Sequence, residues 1–304
     1  MIAAILKQHK KFICLMLAGL LIATVGGFFY FRYTQKQLHE FKVTFFDVGQ
    51  GDATFIQFEN GDQMLVDCGA DRKVLARLGK TMPFYDRTID YLMVTHPDLD
   101  HYGGCVDVLK RYEVKKIVVN GKTKEDEYWR EWERGAMGEG AEIITMASPT
   151  VWIIASTTLE FISPDPGLKF EVKADDSNNY SIAFKLTHGS ESFLLTADME
   201  APLEKALIKK YCSSTAGVET PGAGVSRMAS GCSTLRADIL KVGHHGSDTS
   251  SGEDFISAVR PNQAIISVGK RNTYGHPSRR VLKRFERAGV EILRTDQRGD
   301  IVVR

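Results

Sequence analysis

Residues 89–104 read IDYLMVTHPDLDHYGG, and this stretch decides the architecture. Its first half, IDYLMVT, is an apolar run of strand length with the character of a buried strand. Its second half gathers His96, Asp98, Asp100 and His101 within six residues, just where the strand ends. Imidazole and carboxylate side chains in one strand-end loop suit Zn²⁺, Mn²⁺ or Fe²⁺. Gly103-Gly104 lets a helix begin close behind them.

Working outward, residues 41–48, 53–58 and 63–67 are short apolar runs, and the turn ENGD at 59–62 joins the last two, so a β-meander precedes the ligand loop. Beyond it, the pattern predicts helices near 103–112, 123–138, 200–211 and 277–288. Strands are predicted between them at 115–119, 141–145, 158–162, 180–188, 191–196, 237–242, 263–268 and 290–294. No short internal repeat interrupts this order. Strands interspersed with helices make an α/β domain whose sheets are covered by helices on their outer faces.

The chain has 304 residues, 43% apolar and 25% charged, which excludes disordered, collagen-like and polytopic membrane proteins. Lys+Arg (39) and Asp+Glu (38) nearly cancel, so the totals do not mark a nucleic-acid binder. The charge is unevenly spread: residues 260–304 carry 11 basic and 4 acidic side chains, and residues 1–42 carry 6 and 1. Residues 12–31, FICLMLAGLLIATVGGFFYF, hold no charge and match the length of a bilayer-spanning helix. No small-x-small cleavage site follows, so an uncleaved anchor in the lipid bilayer is expected. Lys7, Lys10 and Lys11 before it, against Arg32 and Lys36 after it, favour an N-terminus inside and a domain outside the cytoplasm. The expected organisation is a basic segment (1–11), an anchor (12–31), a linker (32–40) and one domain (41–304) with an inserted loop at 211–236. Of five cysteines none forms a C-x-x-C pair. Cys68 and Cys105 read as core residues. Cys212 and Cys232 bracket the loop and would close it as a disulfide in an oxidising compartment, a point that spacing leaves open.

THPDLDHYGG resembles the metal-binding signature H-x-H-x-D-H of the metallo-β-lactamase superfamily. FFDVGQGDATFI, LVDCG, SNNYSIAFKL, LLTADME, LKVGHHGS and SVGKRNTYGHP, in that order, are similar to one branch of it, the extracytoplasmic hydrolase domain of ComEC-type DNA-uptake proteins. The resemblance spans residues 41–304 and implies a four-layer αββα sandwich. It implies two divalent metal ions, zinc or manganese, with His96 and Asp98 at site 1 and Asp100 and His101 at site 2. Asp198 would bridge them, His244 would be the last ligand of site 2, and His245 would touch substrate or replace His244. Asp67 would brace the ligand loop. Asp98 stands where the superfamily has histidine, and its third-motif histidine has no counterpart. Asn178 and Asn179 are the residues placed to face the metals there, and site 1 is expected to be harder in character or weakly occupied.

The reaction expected is attack on phosphorus by water activated at the metals, with Asp100, Asp198, His245 and His276 as catalytic residues. His276 in YGHP, with Lys270 and Asn272 nearby, is the candidate to hold the phosphate or protonate the leaving oxygen. Ser247 reads as a turn or cap hydroxyl. Residues 280, 283, 284 and 287 share one face of a basic helix, which would attract a polyanion without reading its sequence. The expectation is a membrane-anchored phosphodiesterase, a nuclease on DNA or RNA. The alternatives are a metallo-hydrolase of a phosphorylcholine ester, lactone or β-lactam, or a non-catalytic envelope module.

Overall fold

The structure is a computed structural model that describes residues 2–36, 40–172, 176–212 and 232–304. Its core is two seven-stranded sheets laid face to face. The first has the order β14-β1-β2-β3-β4-β5-β6, where β1 is Lys42–Phe45, β2 Thr54–Gln57, β3 Gln63–Val66, β4 Thr88–Val94, β5 Glu113–Val119, β6 Glu142–Thr145 and β14 Ile301–Val303. The second has the order β13-β12-β11-β10-β9-β8-β7, where β7 is Thr150–Ile154, β8 Thr157–Ser163, β9 Ala183–His188, β10 Glu191–Leu195, β11 Ile239–Lys241, β12 Gln263–Ile266 and β13 Glu291–Arg294.

Strand alternation sorts the side chains into layers. In β2, Ile56 points between the sheets with Phe45, Met93, Phe161, Phe184 and Phe193. Its neighbour Phe55 points outward into a second layer with Leu65, Leu92, Trp129 and Trp132. That outer layer lies under α2 (Lys73–Thr81), α3 (Leu99–Tyr102), α4 (Cys105–Leu109) and α5 (Glu127–Gly138). The other sheet is covered by α6 (Ala201–Tyr211), α7 (Glu253–Val259) and α8 (Arg279–Arg287), which bury Leu203, Leu207, Phe255, Val281 and Phe285. Helix, sheet, sheet, helix is the four-layer arrangement.

Several elements differ from expectation. The helix expected at 103–112 is instead two short pieces, α3 and α4, on either side of Gly103 and Gly104, where a Cβ would meet the backbone oxygens of Ala70 and Cys68. The helix expected from 123 begins only after Asp126, whose carboxylate accepts from the Trp129 amide (2.7 Å). α2, α7, β7 and β14 have no counterpart among the elements that the sequence pattern predicts. Cys68 and Cys105 are buried, as expected of core residues, but they are joined in a disulfide with Cα atoms 5.2 Å apart. A second disulfide links Cys212 to Cys232 (Cα–Cα 4.4 Å), and most of the loop it closes lies outside the described residues.

Residues Ile2–Lys36 form a single helix, α1. Among the described residues no helix is long and apolar enough to cross a membrane. The structure therefore does not supply the expected span.

Candidate metal centre

The candidate centre lies where the carboxyl ends of β3 and β4 in one sheet meet those of β10 and β11 in the other. β3 pairs with β4, and β10 with β11, in parallel, so each pair delivers its following loops to the same end. Asp67 follows β3 with φ +60°, a left-handed conformation that aspartate tolerates better than most residues. This turns its carboxylate across the sheet end. Oδ1 accepts from the Thr95 amide (2.8 Å), and Oδ2 accepts from the Thr95 hydroxyl (2.8 Å) and lies 2.7 Å from His101 Nδ1. His96 Nδ1 lies 3.0 Å from the same hydroxyl. Both rings are thus held by Nδ1 with Nε2 turned into the pocket, the orientation that a carboxylate or hydroxyl behind a ligand imposes.

Asp198 follows β10. His101 Nε2 is 3.2 Å from Asp198 Oδ1, and His245 Nε2 is 3.2 Å from Asp100 Oδ2 and 3.5 Å from Asp198 Oδ2. His96, His101 and Asp198 form one compact donor cluster, and Asp100, His101 and His245 another. Four of these atoms, His96 Nε2, His101 Nε2, Asp198 Oδ1 and His245 Nε2, are buried and make no well-aligned hydrogen bond, only the ion-pair approaches just given. An unpaired buried polar atom costs about 1–3 kcal/mol. Four aimed into one pocket fit a divalent cation, which would satisfy them together.

The two adjacent histidines of VGHHGS take different places. Both have positive φ (46° and 52°), so the chain turns sharply and sends the rings apart. His245 has 2% of its side chain exposed and belongs to the donor clusters; its Nδ1 lies 3.0 Å from the Ser267 carbonyl, which orients it with Nε2 inward. His244 is 26% exposed, lies no closer than 3.9 Å to Asp198, and is held by Glu200 at 2.8 Å. His245, rather than His244, belongs to the donor clusters, whereas the motif resemblance implies His244 as the ligand and His245 as its possible replacement.

Other expected site residues are scattered. Asp98 belongs to none of the donor clusters: its Oδ1 pairs with Lys124 and accepts from Ser177 (2.7 Å), and its Oδ2 is 3.7 Å from His96 Nε2. Asn179 does not face the centre, because its Oδ1 accepts from the Glu200 and Leu203 amides (3.3 Å each) at the start of α6. Asn178 sends its amide nitrogen toward Glu200 (3.5 Å) and keeps a buried Oδ1 without a partner. Ser247 accepts from the Thr249 amide (3.3 Å), a turn hydroxyl as expected. Asn272 is also structural, bridging Gly269 O and the His276 backbone. His276 lies beside the centre, its ring 5.6 Å from that of His244 and stacked on exposed Tyr274. Lys270 is exposed on the same loop. On the basic helix Arg280 and Arg284 pair with Asp248, and Arg287 with Glu253, so much of that face is already neutralised.

Sequence reading missed Thr95, Asp52, Lys241, Glu200 and Lys124. Asp52 and Lys241 form a buried ion pair (2.7 Å) behind His245, with Asp52 Oδ1 3.3 Å from His245 Nδ1. The glycines around Asp52 were the available signal. A Cβ at Gly51 (φ +123°) would come within 2.2 Å of the Asp100 carbonyl, so this turn is built to touch the ligand loop.

The electrostatics are those of a proton-filled cation site. Burial opposes charge on His101, but Asp198 and Asp67 outweigh it and hold the ring protonated well above the ordinary histidine range. Burial likewise opposes charge on His245, and Asp198 and Asp52 raise it to about 10. Burial would raise Asp100, yet the bond to His245 and the charge of His101 keep it below the usual carboxylate range. His276 is shifted down, first by burial and then by His244 and His245.

The family model described as Metallo-beta-lactamase superfamily matches residues 46–270. Among curated proteins the chain is 30% identical to ComE operon protein 3 of Bacillus subtilis (strain 168), over 87% of this chain and 33% of that protein. It is 28% identical to Competence protein ComA of Neisseria gonorrhoeae (91% and 34%) and 29% to Recombination protein 2 of Haemophilus influenzae (88% and 29%). The chain thus spans about a third of the length of these relatives. Among solved structures, the metallo-beta-lactamase fold protein YhfI from Bacillus subtilis superposes with a TM-score of 0.53 at 14% identity, covering 88% of this chain and all of that one. CmlA, a diiron beta-hydroxylase from Streptomyces venezuelae, gives 0.53 at 14% identity over 88% and 54%. At such identity the likeness is one of fold.

Proposed function

The chain belongs to the metallo-β-lactamase superfamily, and on that footing we propose that it is a metal-dependent phosphodiesterase, acting as a nuclease on DNA or RNA outside the cytoplasm. The observation that carries the reading is that four buried side-chain atoms without a well-formed hydrogen bond, on His96, His101, Asp198 and His245, fall in overlapping donor clusters. His96, His101 and Asp198 in one cluster, and Asp100, His101 and His245 in the other, would hold divalent cations. A bound cation would supply Lewis-acid chemistry, activating water at neutral pH and drawing charge from a phosphoryl oxygen. Asp67 and Thr95 fix the rings of His101 and His96, and Asp52 and the Ser267 carbonyl fix His245. None of these braces needs to reorganise during reaction. His276 and the exposed Tyr274 ring stand on the open side, where a phosphate and a base would lie against them.

The curated relatives named for competence and recombination support a nucleic-acid substrate. Two disulfides support an oxidising compartment. The anchor is proposed from the uncharged run 12–31 and from the exposed apolar side chains around α1, among them Leu15, Met16, Leu20, Ile22, Phe28 and Phe29. A helix apolar on all sides needs an apolar surrounding. The test is to strip the full chain, in detergent, of metal, resupply Mn²⁺ or Zn²⁺, and add single- and double-stranded DNA, RNA and bis-p-nitrophenyl phosphate. Cleavage that needs metal and is lost in Asp100→Ala is the expected result. Bound metal with no phosphodiester cleaved would end this reading in favour of another ester or a binding role.

A further inference from the structure

The bond between Cys68 and Cys105 sits directly behind the donor clusters. Cys68 follows Asp67, the acid that holds the His101 ring, and Cys105 comes four residues after His101. Both cysteines are sealed from solvent. The two segments they join are also laced by their backbones. The Cys68 amide donates to the His101 carbonyl (2.7 Å), and the Gly104 amide donates to the Gly69 carbonyl (2.9 Å). A Cβ at Gly104 would come within 2.3 Å of the Cys68 carbonyl oxygen, so no larger residue fits between them.

The turn behind His101 carries a cost of its own. Asp67 and Gly69 both have left-handed backbones (φ +60° and +68°), a conformation that is unfavourable for a residue other than glycine. Before a cation arrives, the pocket also holds four buried atoms without a well-formed hydrogen bond, and admitting water would satisfy them. Both effects favour movement of the Asp67 turn away from His101. A covalent bond one residue from Asp67 and four from His101 opposes that movement. The second disulfide has no such place. Cys212 follows the last turn of α6, whose 11 residues carry it about 16 Å along the helix from the loop of Asp198.

We propose that the Cys68–Cys105 disulfide is a redox latch on the metal centre, which gains its full metal affinity only after the two thiols have been oxidised. Forming the bond takes two electrons and two protons from the thiols; a partner disulfide accepts them and becomes two thiols itself. In a reducing compartment the thiols persist and the Asp67 brace is loose. In an oxidising one the bond forms and, being buried, stays formed. This rests on the centre being a metal site but not on the identity of the substrate. For a nuclease that acts outside the cytoplasm, the latch keeps the chain poor in metal while it is still beside the nucleic acid of the cell that makes it.

The test compares the full chain in detergent with its Cys68→Ala/Cys105→Ala and Cys212→Ala/Cys232→Ala variants, their folding checked by near-ultraviolet circular dichroism. Competition with a chelator reads the Mn²⁺ affinity. Loss of the first pair should weaken binding by about 10–100-fold, the usual cost of releasing such a brace. Loss of the second pair should leave it at the wild-type value. A bond that only stabilises the fold would lower the denaturant midpoint of the first variant without changing its affinity, and that result would overturn the proposal. So would equal losses in both variants. If the first variant fails to fold, the wild type decides. Its cysteines are equilibrated with a dithiol and its disulfide from the oxidised and the reduced side, alkylated and read by mass spectrometry, with and without saturating Mn²⁺. By linkage, Mn²⁺ should make Cys68–Cys105 harder to reduce by the same factor and leave Cys212–Cys232 unmoved. The same response in both bonds would overturn the latch. A wild type that binds no Mn²⁺ would end the metal reading and the latch together, whereas metal bound with no phosphodiester cleaved counts against the nuclease reading alone.

Discussion

The Oδ2 atom of Asp67 lies 2.7 Å from Nδ1 of His101, and both side chains are sealed from solvent. The same carboxylate receives the amide and hydroxyl of Thr95, which in turn orients His96. Two rings of the donor clusters therefore depend on one acid behind them. Asp67→Asn should keep the fold and weaken metal binding by about 10–100-fold, the usual cost of losing such a brace. Competition with a chromogenic chelator measures it. An unchanged affinity would mean that the rings are held by packing alone.

The neighbouring histidines should behave differently. His245→Ala removes a donor from the clusters and should abolish tight metal binding. His244→Ala removes a ring that sits outside them and should leave metal content near wild type. Elemental analysis of the two purified variants separates the roles, and equal loss in both would show that the geometric distinction has no chemical consequence.

Cation binding should release protons. At neutral pH the metal-free His101 and His245 hold protons, because Asp198, Asp67 and Asp52 raise them against the opposing effect of burial. A cation takes the same lone pairs, so its apparent affinity should rise as pH climbs through neutrality toward about 10, the value for His245. Calorimetric titration of metal in two buffers of different ionisation enthalpy reads the released protons. Identical heats in both would contradict the assignment.

Glu204 gives a pH effect away from the centre. It is buried in α6, accepts from the amides of Ser251 and Gly252, and burial pushes it up to about 7. The native state then holds a proton that the unfolded state, with the ordinary value of 4.5, has released. Its contribution is present below the unfolded value and is lost as pH rises from there to about 7. The loss would be of order 3 kcal/mol. Denaturant midpoints at pH 5 and pH 8 should show this drop, and Glu204→Gln should flatten it.

The Cys68–Cys105 bond closes a loop of sequence separation 37 around the ligand segment. Chain entropy assigns such a closure about 4 kcal/mol. A Cys68→Ala/Cys105→Ala chain should unfold at clearly lower denaturant concentration while the other disulfide stays intact. A shift near zero would mean that the unfolded chain is not what the bond constrains.

Much of the centre was legible because its chemistry is contiguous. His96 to His101 lie in one loop, and the apolar run before them announces the strand that aims it. Asp198 and the paired histidines also sit at strand ends. What could not be read is what only folding brings together. Lys124 and Asp98 are separated by an intervening helix pair and strand, and Asp52 and Lys241 come from different sheets. The exchange between His244 and His245 depends on two left-handed residues in succession, which residue types do not reveal. β14 is three residues long and β7 exposes Val151 and Ile153, so neither carries a clear burial pattern.

β14, near the end of the described domain, pairs antiparallel with β1, near its beginning, with Val303 opposite Val43. Arg77 clasps the other end of this pairing by reaching both Asp47 and Asp300. The chain thus enters and leaves the sandwich at a single seam. Such a body behaves as a bead with both strings emerging from one hole: it can be spliced between flanking segments, or have its ends rejoined and be opened elsewhere, without disturbing the far side where the donors gather.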